Sequence, residues 1–385
     1  MKKVRVLAYF LPQFHDCILN SKWWGKGFTE WDNVKKCSPL FEGHNQPKIP
    51  LESYYDLSDP LEIQKQYLSA YEHGIDGFVI YHYWSLGERP LRKPLDIILN
   101  NQNLVINFSL CWANHSWTRS WKNRKGALDV LIEQKYENNN KDLDKHFYFL
   151  NRAFSDNRYI RIDGKPFFLI YNASDIPNID EFIEKLREYV LRNSNLEIHL
   201  CGVITSWKSN YNCFNNFDSV TFSQPGTALW SPEDVFSKMN GIFKSKNKFS
   251  YYTRGLPFSI KKLLYNIQDN FKNKYEIFDY DEIWEKVIRQ TIRSKDYKKD
   301  VFPSAFIDFD NSPRYGSRAK IFQGFTPEKF ASYLEELMNV CNSQLILINA
   351  WNEWGEGMYL QADQKYKNVR LEKLSEVVKR ANIED

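Results

Sequence analysis

The stretch Leu345-Ile-Leu-Ile-Asn-Ala-Trp-Asn-Glu-Trp-Gly-Glu-Gly357 runs an apolar segment straight into two glutamates three residues apart, Glu353 and Glu356, flanked by Trp351, Asn352 and Trp354. An apolar run this short and this rich in isoleucine and leucine, with no polar alternation, reads as a strand buried on both faces of a parallel sheet. Paired carboxylates beside indole rings suit sugar chemistry. One carboxyl can carry a proton for a leaving oxygen while the other stays ionised, and an indole face covers the apolar side of a pyranose.

Seven further runs of the same kind precede it, Val4–Phe10, Gly77–Tyr83, Val105–Cys111, Pro166–Tyr171, Ile198–Val203, Ser219–Phe222 and Val301–Ile307, with Gln344–Ala350 as the eighth. Amphipathic stretches at Pro60–His73, Leu91–Asn100, Lys141–Phe154, Ile179–Arg192, Tyr280–Ser294 and Pro327–Cys341 alternate with them. Strand followed by helix, repeated about eight times, predicts an α/β fold of the (β/α)8 TIM-like barrel type with long loop insertions. Ser219–Phe222 is the shortest and most polar run, and without it a doubly wound sheet would be the expectation. No tandem repeat or Pro/Ser linker divides the chain, so residues 1–385 are expected to form one domain.

Each run is followed by chemistry-bearing residues: His15 after the first, Tyr83 and Trp84 at the second, Trp112, Asn114, His115, Trp117 and Arg119 after the third. Tyr171 closes the fourth, Trp207 follows the fifth, Asp308 the seventh and the glutamates the eighth. Strand C-termini of a parallel barrel share one face, so these positions are expected to converge on one cleft. Residues 12–59 make too long a connection for an ordinary loop and are expected to form a lid over it. Residues 243–274 carry eight Lys or Arg against one acidic residue, with Tyr251, Tyr252 and Phe258 interleaved. Such an insertion is expected to be a solvated surface loop or a contact with an anionic glycan, a lipid-linked acceptor or a membrane surface.

Lys plus Arg exceeds Asp plus Glu by only four, which gives no reason to expect nucleic acid. The six cysteines have no CxxC spacing, and Cys111 and Cys201 sit in apolar runs as small buried residues, so neither a metal cluster nor a disulfide framework is expected. The apolar part of the N-terminus is short and interrupted by Arg5, with no cleavage-site pattern after it. A reduced, cytoplasmic setting fits these features, with the inner membrane as a peripheral surface.

Several motifs occur in series: Tyr9-Phe-Leu-Pro-Gln-Phe-His15, Gly27-Phe-Thr-Glu-Trp31, Gln46-Pro47, Tyr54-Tyr-Asp-Leu57, Gly74-Ile-Asp-Gly-Phe78, Cys111-Trp-Ala-Asn114, Trp117-Thr-Arg119 and Asn352-Glu-Trp-Gly-Glu-Gly357. Together they resemble the WbsX-type glycosyltransferases, which are related to glycoside hydrolase family 99, the endo-α-mannosidases. The resemblance covers nearly the whole chain and implies a (β/α)8 barrel, a carbohydrate substrate and a place in bacterial O-antigen or capsule biosynthesis. It also implies that Glu353 acts as base on the sugar 2-hydroxyl, that Glu356 is the general acid and base, and that the anomeric configuration is retained through a 1,2-anhydro intermediate without metal or other cofactor. Trp31 enters the expected substrate site from the same motifs. Two departures stand out: His115-Ser116 occupies the place where such proteins usually carry Glu after Ala-Asn, and Gln361-Ala362 replaces a carboxylate-Pro pair. The first puts the identity of the sugar in doubt, an acidic one included.

Spacing leaves the mechanism open, because residues three apart span up to ~10 Å when extended and about 5–6 Å in a helical turn. Two other readings compete. A metal-dependent nucleotide-sugar transferase would use an Asp-x-Asp, for which Asp308-Phe-Asp310 and Asp279-Tyr-Asp281 qualify, although a chain of this length contains such triplets by chance. A non-catalytic glycan-binding protein would need the aromatic residues and not the glutamate charges.

Overall fold

A computed structural model describes residues 4–118, 130–136, 140–205, 211–230, 275–297, 299–341 and 343–383. Among the described residues nine parallel strands form the barrel path of the sheet, with Arg161–Ile162 added antiparallel to one of them: β1 (Arg5–Phe10), β2 (Gly77–His82), β3 (Phe108–Trp112), β4 (Lys165–Ile170), β5 (His199–Ile204), β6 (Ser219–Phe222), β7 (Asp300–Phe302), β8 (Ser304–Phe306) and β9 (Leu345–Asn349). They pair in the order β7-β6-β5-β4-β3-β2-β1-β9-β8. The two ends of this path are consecutive in the chain. The seventh expected run is thus broken at Pro303, which has no N–H to give to a ladder. Its first half pairs with β6, Asp300 opposite Ser219, and its second half with β9, Ser304 opposite Leu347. That change of partner brings the sheet round into a nearly closed barrel, and the short Ser219–Phe222 strand holds its place through Phe222 opposite Ile204.

Alternation along each strand sorts the core into two layers. Leu7, Tyr9, Val79, Cys111, Leu169, Cys201, Leu345 and Leu347 fill the barrel interior. Val6, Ala8, Phe78, Leu110, Phe168, Ile346 and Ile348 face outward under the helices. Those helices are α1 (Pro60–Glu72), α2 (Lys93–Asn100), α3 (Asn140–Phe154), α4 (Ile179–Ser194), α5 (Tyr280–Ser294), α6 (Pro327–Val340) and α7 (Val369–Ile383). Side-chain caps start three of them: Asp59 accepts from Leu61 N, Asp279 from Glu282 N and Thr326 from Lys329 N. Among the described residues no helix is long and apolar enough to cross a membrane.

The connection from β1 to α1 is an ordered arm with short helices at Ile18–Trp24 and Trp31–Lys35. Its two ends are joined by Leu57 N donating to Phe14 O, and it is tied to the segments after the last strands by Leu51 N donating to Ala362 O and by Lys48 Nζ, 3.4 Å from Asp308. The basic insertion 243–274 lies outside the described residues.

Candidate active site

After β9 the chain turns sharply. Asn352 fixes the start, its side chain accepting from Leu11 N at 2.8 Å and donating to Leu11 O at 3.0 Å, so the turn is locked to the end of β1. Trp354–Glu356 then forms a single 3-10 turn that ends at Gly357, whose φ of 68° only glycine adopts without strain. This tight turn, rather than an extended segment, separates the two glutamates, and both carboxylates come to one guanidinium.

That guanidinium belongs to Arg314, on the short helix Ser312–Tyr315 beyond the break in the seventh run. Its Nη2 donates to Glu353 Oε1 at 3.0 Å, its Nη1 to Glu356 Oε1 at 2.7 Å, and its Nε to Glu30 Oε1 at 3.0 Å. Arg314, Glu30 and Glu353 are buried, while the Glu356 side chain keeps 27% of its surface exposed. Gly355 makes the convergence possible, because a Cβ there would stand 2.4 Å from Glu30 Oε1 and 2.8 Å from Arg314 Nε. Burial pushes Glu353 up to about 8 despite the Arg314 charge beside it, helped by the neighbouring Glu356 and Glu30 carboxylates. Glu30 is raised as well, by burial first, against the pull of Arg314.

The cluster opens into a cleft of about 630 Å³ at the C-terminal ends of the strands. Tyr81 and Tyr171 contribute to the cleft from the ends of β2 and β4, their rings 5.9 Å apart, and Tyr83 stands edge-on to Trp117 at 5.0 Å. The Tyr83 phenol is raised by burial and then by the Glu353 charge, which places it in the field of that carboxylate. His115 is exposed to the same space, 5.9 Å from the Tyr171 ring. Glu353, Glu356, Tyr83, His115, Trp117 and Tyr171 are therefore brought together from the expected set.

The other expected residues go elsewhere, and the cause is mostly alternation. Trp351 and Trp354 turn away from the cleft that Glu353 and Glu356 face. Trp351 packs on Phe78 and donates to Gln66, and Trp354 stacks on Tyr359 at 3.7 Å and donates to Gln361. Trp31 is wedged among Phe14, Tyr54, Tyr55 and Trp354. Trp84 stacks on His146 at 4.7 Å, Trp112 stands edge-on to the same imidazole, and His146 meets His82 at 3.1 Å. Asn114 is a brace, bonded to Tyr136, to Asn172 O and from Asn172 N. His15 is buried within the arm, outside the cleft lining. Arg119 and Trp207 lie outside the described residues.

Both Asp-x-Asp candidates have structural partners. Asp308 and Asp310 point to the arm while Phe309 and Asn311 line the cleft. Burial works against the Asp310 charge, yet hydrogen bonds from His44 and Ser312 N and the charge of Lys48 hold it down to about 2. Asp279 caps α5, and Asp281 is bound by Lys329 and Tyr333.

Five cleft residues had weak or no signal in the sequence. Glu30 lies inside a quoted motif, and Trp24 is in the polar-flanked Lys22-Trp-Trp-Gly25. Gln13 and Asn20, also from the arm, line the cleft. The Gln13 Nε2 is buried and unpartnered among the described residues, a donor free for a ligand oxygen. Arg314 sits in Ser312-Pro-Arg-Tyr315, which carries no recognisable pattern.

Among solved structures, the fold is similar to a GH99 endo-alpha-mannosidase from Bacteroides thetaiotaomicron, with a TM-score of 0.56 at 12% identity over 99% of this chain and 98% of that one. A glycoside hydrolase-like protein gives a TM-score of 0.58 at 12% identity over 98% and 94%. At that identity the likeness is one of fold. Two proteins from Xanthomonas campestris pv. campestris, from strains B100 and ATCC 33913 and each called uncharacterized protein WxcX, are 29% identical over 384 residues. The match takes in 98% of this chain, which spans about half the length of those relatives. A family model described as glycosyltransferase WbsX matches residues 6–374, from the first barrel strand to the last helix and so across the whole carboxylate cluster. By that match, and with the motifs in their expected order, the chain belongs to the WbsX glycosyltransferase family.

Proposed function

We propose that this chain is a retaining glycosyl-transferring enzyme that acts on a mannose-like α-glycoside in surface polysaccharide assembly, with Glu353 and Glu356 as its catalytic pair. The observation that carries the reading is the single Arg314 guanidinium holding both carboxylates of one turn in an aromatic cleft, with one of them made unusually basic by burial. A glycosyltransferase family on a glycosidase-like barrel supports the same reading. The substrate is an oligosaccharide or polysaccharide, a lipid-linked one included, handled at the cytoplasmic side. The residues 1–385 act in it as one domain, with the arm 12–59 as the cover of the cleft.

In the first step Glu353 takes the proton of the sugar 2-hydroxyl as that oxygen attacks C1. The bond from C1 to the leaving oxygen breaks, and Glu356 supplies that oxygen with a proton. In the second step Glu356 removes the proton of the acceptor hydroxyl, which attacks C1 and opens the 1,2-anhydro ring, and O2 recovers its proton from Glu353. Two inversions at C1 give net retention. Tyr83, Tyr171 and Trp117 provide faces for the sugar rings, and Gln13 and Asn20 provide amides for their oxygens. Arg314 steadies both carboxylates through the change in which of them is charged.

Retention is tested by following the anomeric proton by NMR during turnover of α-mannosyl fluoride with an alcohol acceptor. The first product is expected to be the α-anomer, and an initial β-product would refute the scheme. Because the base must be ionised, kcat/KM is expected to rise about tenfold per pH unit on the acid side. The rise should level near pH 8, where Glu353 loses its proton.

A further inference from the structure

Three carboxylates share one cation, and water is nearly excluded from two of them and from the cation, while Glu356 stays partly exposed. Glu30 and Glu353 are 2% and 5% exposed, and Arg314 is 8% exposed. Glu30 reaches Arg314 from the arm, 284 residues away in sequence, and takes the Nε face that the other two glutamates leave open. If all three carboxylates were ionised, an excess of two negative charges would remain in a poorly solvated site, which buried carboxylates avoid by keeping a proton. Nothing in the scheme above uses Glu30, yet the fold makes room for it by keeping Gly355 without a side chain.

We propose that Glu30 is a positioning residue that holds Arg314 against Glu353 and Glu356 and, by competing for its charge, sets how strongly Glu353 binds a proton. This rests on the assignment of Glu353 as base and deepens it. Arg314 alone would stabilise an ionised Glu353 and leave a feeble base. With Glu30 and Glu356 on the same guanidinium, the cation is divided among three partners and Glu353 keeps its affinity for the sugar proton. The groups that face Glu30 are Arg314, the Asn33 side chain and Glu356. Those that face Glu353 are Arg314, Glu356, Glu30 and the phenols of Tyr83 and Tyr171. Among these, Glu30 and Glu356 are the carboxylates that oppose Arg314, and Glu30 is the one with no proposed contact to the sugar.

The test is a carboxyl 13C NMR titration of the full chain labelled in glutamate, with the Glu353 resonance assigned by its loss in Glu353→Gln. In Glu30→Gln the Glu353 midpoint is expected to fall by about one pH unit or more. On α-mannosyl fluoride the acid limb of kcat/KM should move by the same amount, with a lower plateau in kcat and little change in KM. A Glu353 midpoint that stays in place in folded Glu30→Gln overturns the proposal. In the unaltered protein the Glu30 resonance should carry an inflection at the Glu353 midpoint, as coupled sites do, and a Glu30 signal blind to that titration overturns it even if Glu30→Gln does not fold. Turnover that survives in Glu353→Gln would instead refute the assignment of the base, whatever Glu30 does.

Discussion

Replacing Glu353 by glutamine is expected to lower turnover of a mannosyl donor by about 10²–10⁴-fold, the usual contribution of a positioned general base. Glutamine keeps the shape and still meets Arg314 through its amide oxygen, so glycan affinity measured by calorimetry should stay within a few-fold. Glu356→Gln should behave differently with different leaving groups. An alkoxide needs the proton that Glu356 supplies, and fluoride does not. With α-mannosyl fluoride the first step should therefore persist while the second, which needs Glu356 as base, slows. Rapid quenching should then show a burst of about one fluoride per enzyme. A protein that merely holds glycans would release none, and full activity in either variant would remove the carboxylate pair from the mechanism.

Arg314→Met is expected to cost about 3–5 kcal/mol of stability, because it leaves buried carboxylates without their cation. The three carboxyls of Glu30, Glu353 and Glu356 all lose a hydrogen bond that is 2.7 or 3.0 Å long in the parent. The loss should depend on pH in a definite sense. Without Arg314 the buried carboxyls of the folded variant bind protons more tightly than those of the folded parent, so the variant loses stability relative to the parent as pH rises through the parent's midpoints, that of Glu353 lying at about 8. Urea unfolding should show a gap between variant and parent that widens as pH rises past about 8. A gap below about 1 kcal/mol, or one that narrows with pH, would mean that the guanidinium is not the counter-charge of the cluster.

The barrel was legible because burial on both faces leaves a mark that needs no knowledge of partners. Leu345–Ile348 and Phe78–Ile80 are apolar at successive positions since one side packs in the barrel and the other under helices. Helix starts were equally local, with Asp59-Pro60 and Thr326-Pro327 marking α1 and α6 within a residue or two. The interruption at Pro303 was not foreseen as a change of partner. Val301–Ile307 looks continuous, and only the spacing of β6 and β9 on either side decides that the two halves pair with different neighbours.

The cleft was legible in its acids and less so in its aromatics. Glu353 and Trp354 are adjacent in the chain, but adjacent side chains in an extended or tightly turned backbone point to opposite sides. The side that receives Glu353 is the cleft, so its neighbour Trp354 goes into the core; Trp351, two residues earlier, is buried there too, against Phe78 and Gln66, which alternation alone does not dictate. The same rule sends Asp308 and Asp310 to Lys48 and His44 and leaves Phe309 and Asn311 to the cleft.

What the amino-acid order determined by itself is the set of elements that bury apolar surface and the presence of two acids at the end of the last strand. Only the tertiary structure decided that Arg314 would meet Glu353 and Glu356 from 39 and 42 residues away, and that Glu30 would join them from the far end of the chain. Apolar burial follows a short period that sequence displays, whereas the pairing of buried charges depends on distances through space, which become defined only when the barrel closes.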